Sequence, residues 1–265
     1  MSSRIIRLLL LITLVGGMAG CQQSGVRPDV DTEDNTGQMG QESVAGAGDV
    51  YVRLAVGYMQ DGRLGVALKK ARHALQVDPD NAEAHNIIAL LYDRLGEPGL
   101  AERHFKQGLK LQPRHSYMLN AYGTHLCRRG RYEEADQQFL LALKNPLYKT
   151  PEVALTNAGI CARRKPDLVQ AERYLRQALE HNPKIATALM QMARVSYDAA
   201  EYFSARAYLQ RYTEVTKQTA SSLWLGIQTE RKLGDRDAVS SYSLSLRNNF
   251  PDSQEAMLLK ESNKK

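Results

Sequence analysis

Ala89-Leu90-Leu91-Tyr92-Asp93-Arg94-Leu95-Gly96-Glu97-Pro98-Gly99-Leu100-Ala101 sets two small side chains twelve residues apart, with Gly96 between them. The same pair stands one step up the chain as Ala55 and Ala67, and one step down as Gly123 and Ala135. It returns as Gly159 and Ala171, Ala193 and Ala205, and Gly226 and Ala238, with steps of 34, 34, 36, 34 and 33 residues. Two antiparallel helices approach closely only where both present small side chains, and the chain must break between them. Gly62, Gly96 and Gly130 supply that break in the first three units. Each unit is therefore a helix, a turn and a helix, too thin to bury its own apolar face. Stacking of successive units buries it.

A period of 34 with this internal pattern is that of the tetratricopeptide repeat. Other core positions follow: Tyr51, Leu54, Tyr58, Ala71 and Ala74; Ile88, Tyr92, Phe105 and Gly108; Leu119, Tyr122, Leu126, Phe139 and Ala142; Leu155, Ala158, Leu175 and Ala178. Pro79, Pro113, Pro146, Pro183 and Pro251 stop second helices, because proline cannot continue one. The fifth and sixth units keep the pattern more loosely, with Tyr212 in place of a small residue. The expected fold is all-α: a right-handed superhelical solenoid of about six repeats, at about 48–81, 82–115, 116–150, 152–185, 186–218 and 219–251. A capping helix at 252–262 would shield the open end.

The N-terminus reads differently. Arg4 and Arg7 precede and interrupt a short apolar run, and Met18-Ala19-Gly20-Cys21 follows. The run is too short for a membrane span and reads as a signal peptide over 1–20. Ala19-Gly20-Cys21 resembles a bacterial lipoprotein cleavage site, which would make Cys21 the lipidated first residue; an ordinary secretory signal is the alternative. Gln22, rather than Asp, at the next place resembles the outer-membrane sorting signal of enterobacterial lipoproteins. Residues 22–48 carry almost no large apolar side chain, so 21–48 is expected as a lipidated cysteine and flexible tether, spanning roughly 30 Å. The repeat domain is expected over 49–265.

The formal charge of +6 falls to +4 once Arg4 and Arg7 are removed. That is too little, and too scattered, for a nucleic-acid partner. The six histidines show no i, i+4 pair, and no phosphate-binding glycine loop or nucleophile elbow occurs. No catalytic residue, metal ligand or cofactor is expected beyond a covalent lipid. Of the three cysteines, Cys127 and Cys161 lie on first helices of adjacent repeats. Cys127 follows Gly123 by four residues and Cys161 follows Gly159 by two, so they point differently; buried free thiols are the default, and a disulfide stays open.

Helical spacing directs Val52, Val56 and Met59 in repeat one, and Asn86, Ile87 and Leu90 in repeat two, to the inner face. Asn120, Thr124 and Asn157 fall on the same side. The first set suggests an apolar groove, and the asparagines could hold the backbone of an extended peptide. Equally, they could satisfy loose polar ends between packed helices.

Asn120-Ala121-Tyr122-Gly123, Leu126-Cys127, Gly130-Arg131-Tyr132 and Ala135 resemble a stretch of the type IV pilus biogenesis lipoproteins of the PilF/PilW type. So do Asn157-Ala158-Gly159-Ile160-Cys161-Ala162 and Ala188-Leu189-Met190-Gln191-Met192-Ala193. The resemblance implies a pilotin: a monomeric outer-membrane lipoprotein that binds a secretin subunit and promotes assembly of the secretin ring. A repeat lipoprotein serving a cell-wall or β-barrel assembly machine is the alternative.

Overall fold

The computed structural model describes residues 39–262, in which there are thirteen α-helices and no strand. Twelve form six antiparallel pairs: α1 (Met39–Gln60) with α2 (Leu64–Val77), α3 (Ala82–Arg94) with α4 (Pro98–Leu111), and α5 (Ser116–Arg128) with α6 (Tyr132–Leu143). Then come α7 (Pro151–Arg164) with α8 (Leu168–His181), α9 (Ala186–Asp198) with α10 (Tyr202–Val215), and α11 (Ala220–Leu233) with α12 (Arg236–Asn249). These are six tetratricopeptide repeats, and α13 (Gln254–Ser262) closes the end.

The spacing of small residues is the crossing point of each pair. Ala55, Ala67, Ala89, Ala101, Ala135, Ala171, Ala193 and Ala205 are wholly buried there. A Cβ on Gly123 would stand 2.8 Å from the Phe139 ring and 3.1 Å from the Ala135 carbonyl; one on Gly159 would stand 2.6 Å from Leu175. Glycine is needed at both because the facing helix brings a large side chain sixteen residues on. Gly62, Gly96 and Gly130 take φ of 74°, 78° and 75°, the left-handed conformation that ends the first helix of a pair at little cost to glycine. In repeat five Ala200 holds this place at φ 62°. Second helices end two or three residues before the prolines, at Val77, Leu111, Leu143, His181 and Asn249.

One apolar core runs through repeats one to five and reaches Leu225 of repeat six. A second joins Leu223, Ile227 and Leu246 of repeat six to Ala256 and Leu259 of α13, which is how the cap shields the last pair. The long step of 36 residues falls in the loop between α6 and α7. That loop folds Tyr148 inward against Leu119, Ala142 and Ala154, and Asn145 donates to Ser116 Oγ at 3.1 Å.

Two expectations need correction. Residues 39–48, assigned to the tether, are helical, because the helix of repeat one extends back through residues with no proline to stop it. Leu54, assigned to the core, is 41% exposed. Its place is buried elsewhere by the second helix of the preceding repeat, and no described element precedes α1. Cys21 and the signal lie outside the described residues.

Candidate docking surface

The nine inner-face residues divide by depth. Val52, Asn86 and Ile87 are buried between helices and cannot line a groove. Val56, Met59 and Leu90 are half-buried and pack on the core from the open side. Asn157 Nδ2 donates to Asn120 Oδ1 at 3.0 Å, and Thr124 Oγ1 donates to the Asn120 carbonyl at 2.9 Å. Those two asparagines thus join first helices of adjacent repeats, satisfying each other. Asn86 Nδ2 donates to Glu83 at 3.2 Å. The inner face is accordingly a shallow apolar strip in repeats one and two that gives way to a polar seam in repeats three and four.

Sequence reasoning missed the outer face of α1. Ala84, Ile88 and Leu91 of α3 are fully covered by α2. Thirty-four residues earlier, the same places are Val50, Leu54 and Gly57. Val50 is 44% exposed and Leu54 41%. Together with Arg53, Tyr58 and Asp61 they line an open hollow of 380 Å³. The interior repeats show what fills such a face: an antiparallel helix with small and apolar side chains. The signal was present in the repeat register, since an N-terminal repeat with no partner would favour polar residues at these positions.

Charged side chains stitch the middle repeats together. Arg131 Nη1 donates to Glu102 at 2.8 Å, and its other nitrogens donate to Glu134. Tyr122 donates to Glu102 at 3.1 Å. Hydrogen bonds from Lys106 and Arg131 hold the Glu102 carboxyl down at about 2. Tyr174 donates to Asp136 at 2.6 Å across the next boundary, and burial and this bond push its hydroxyl up to about 12. Arg206 pairs with the buried Glu230 of repeat six. Asp93 accepts from His125 Nδ1 at 2.9 Å and pairs with Arg128.

The default of free thiols is overturned: Cys127 and Cys161 form a disulfide with Cα atoms 5.7 Å apart. Their difference in direction is what permits the bond. At about 100° per residue, four residues past the glycine is about 40° and two past is about 200°. Parallel helices lying side by side meet through opposite faces, so side chains that point oppositely from the shared reference are the pair that can join.

The histidines are less scattered in space than in sequence. His85 and His104 approach across α3 and α4 with Nδ1 atoms 3.0 Å apart, and burial followed by the charge of His85 lowers His104 to about 4. Among the described residues no group of three or more metal-capable side chains comes together. No described helix is long and apolar enough to cross a membrane.

Comparison with known proteins places this architecture. The tetratricopeptide-repeat family model matches residues 52–102 and 88–148. The type IV pilus assembly protein PilF of Pseudomonas aeruginosa is 32% identical over 250 residues, which is 94% of this chain and 96% of that one. A structure of P. aeruginosa PilF superposes with a TM-score of 0.74 at 32% identity, over 83% of this chain and 99% of that one. The crystal structure of PilW, a widely conserved type IV pilus biogenesis factor, gives 0.77 at 31% identity, over 80% and 97%. These repeat-built relatives belong to pilus biogenesis, and the chain is a member of the PilF family of type IV pilus assembly proteins.

Proposed function

We propose that this protein is a pilotin: an outer-membrane lipoprotein, anchored through a lipid on Cys21, that binds a secretin subunit of the type IV pilus and promotes its localisation and multimerisation. Pilus formation and twitching motility would depend on it. The observation that carries the reading is the 32% identity to PilF over 94% of the chain, joined to an open apolar hollow at repeat one. Val50 and Leu54 on the outer side of α1, with Val56 and Met59 on its inner side, form the surface offered to the secretin segment. Its role is to hold a partner and deliver it, with no chemistry asked of the chain. The lipid supplies the address: a diacylated and amide-linked cysteine anchors stably where one acyl chain would not.

The test is the abundance of SDS-resistant secretin multimer in outer-membrane fractions. Cells carrying Leu54→Asp, with helicity unchanged, are expected to lose most of the multimer. Cys21→Ala is expected to strand secretin monomer in the inner membrane. Normal multimer in both strains would refute the pilotin role.

A further inference from the structure

The lengthened loop between α6 and α7 reads Lys144-Asn145-Pro146-Leu147-Tyr148-Lys149. Tyr148 turns inward, whereas Leu147 beside it is 83% exposed. On α6, Leu140 and Leu141 are each 44% exposed. The repeat does not require leucine there. The same two places hold Arg72-His73, Lys106-Gln107, Arg176-Gln177 and Gln210-Arg211 in repeats one, two, four and five. Two shallow hollows of 550 and 560 Å³, both bordered by Arg114 and Asn145, join Leu141 to Leu147 in one continuous patch. No aspartate or glutamate lines either hollow. Arg114, Lys144 and Lys149 make no ion pair with any described residue, while Arg131, Lys165 and Arg176 are all paired.

Exposed leucines set among unpaired cations complement a surface that is apolar inside and anionic at its rim. We infer that this patch rests on an anionic phospholipid bilayer, with Leu140, Leu141 and Leu147 entering the headgroup boundary. Arg114, Lys144 and Lys149 would meet the phosphates. A side chain as open as Leu147 is a protrusion, which lipid accepts readily, whereas a peptide is held by walls. The inference rests on the reading that the protein works at a bilayer, but it concerns a surface distinct from repeat one. It would give the lipid-anchored protein a fixed face toward the membrane.

The test uses the chain from Gln22 to Lys265, which lacks the lipid and contains the whole compact helical unit. It is sedimented with vesicles of equal parts phosphatidylethanolamine and phosphatidylglycerol, and with phosphatidylcholine vesicles. Binding is expected to the anionic vesicles alone. Leu147→Asp and the pair Arg114→Gln/Lys144→Gln are each expected to weaken it about tenfold, with far-ultraviolet circular dichroism unchanged. Absence of vesicle binding, or binding that these variants leave intact, overturns the proposal. So does a dimer that Leu147→Asp dissolves without any vesicle binding, which would make a second copy the occupant. Loss of secretin binding in Leu147→Asp with vesicle binding untouched overturns it in favour of a protein partner. Palmitate labelling of Cys21 reports separately on the anchor, so the two readings fail independently.

Discussion

Single side chains carry much of the order of the middle repeats. The Cys127–Cys161 bridge closes a loop with a sequence separation of 34. Confining the unfolded chain over such a loop is worth about 3–4 kcal/mol. Cys127→Ser should lower unfolding free energy by that amount in urea titrations, and the wild type in reductant should match it. Gly123 is a second point of dependence. Gly123→Ala forces a methyl against Phe139 and should cost about 1–3 kcal/mol, read as a lower thermal midpoint. Gly62→Ala would be a different case, strained by positive φ although its surroundings are open.

The His85–His104 pair makes repeat two sensitive to acid. His104 is held at about 4 in the fold against 6.5 for the free side chain, and burial also lowers His85, with Asp80 opposing. A lowered histidine binds its proton less readily folded than unfolded. Its stabilising share is therefore complete above pH 6.5 and drains away as pH falls toward 4. Arg72 and Arg103 face His104 and reinforce this. His115 runs the other way, because Glu83 raises it, so its share is complete below 6.5 and fades as pH rises through its folded value. His104→Gln should flatten the fall in thermal midpoint between pH 7 and 5, and a slope equal to wild type would remove this pair as the cause.

At the scale of elements, the turns and caps decide how well each pair closes. Four of the first helices end on glycine in the left-handed region, at Gly62, Gly96, Gly130 and Gly234, and Ala200 occupies it in repeat five. A Cβ there costs about 1 kcal/mol, so Ala200→Gly should raise stability by about 0.5 kcal/mol once glycine's own entropy is counted. Asn81 caps α3 by accepting from the Ala84 amide at 2.8 Å, and it also donates to Asp49 of α1. Loss of that side chain would fray α3 and loosen repeat one from two. The cap helix α13 has the simplest role. Its Ala256 and Leu259 close the core of Leu223, Ile227 and Leu246, and removal of residues 252–265 should expose that core and free the amides of α11 and α12 to hydrogen exchange.

Over the whole molecule, stability is the sum of repeat-to-repeat interfaces, so what lies at an end matters more than in a globular core. The first repeat has a described neighbour on one side only. An uncovered face is inherent in a solenoid, and Val50 and Leu54 leave that face apolar where solubility alone would favour polar residues. Leu54→Asp should therefore leave the urea midpoint near wild type, and under the proposed pilotin function it should abolish capture of the secretin. The equivalent place one repeat on behaves differently. Ile88→Ala, fully buried in repeat two, should cost about 2–5 kcal/mol.

The sequence by itself determined the repeat number, the crossing points, the glycine turns and the family, because every one of those contacts recurs at a fixed separation. Twelve residues bring a small pair together, sixteen bring Phe139 onto Gly123, and thirty-four bring one repeat onto the next. Only the tertiary structure decided which of those positions are open. Leu54 and Ile88 occupy the same place in the register, and one is exposed because, among the described residues, a covering helix is present for the other alone. The same holds for Cys127 and Cys161, whose opposite directions looked like a barrier until the side-by-side placement of α5 and α7 turned them toward each other. Periodicity fixes what a residue faces within its own repeat; exposure and pairing depend on the neighbour, which periodicity does not supply.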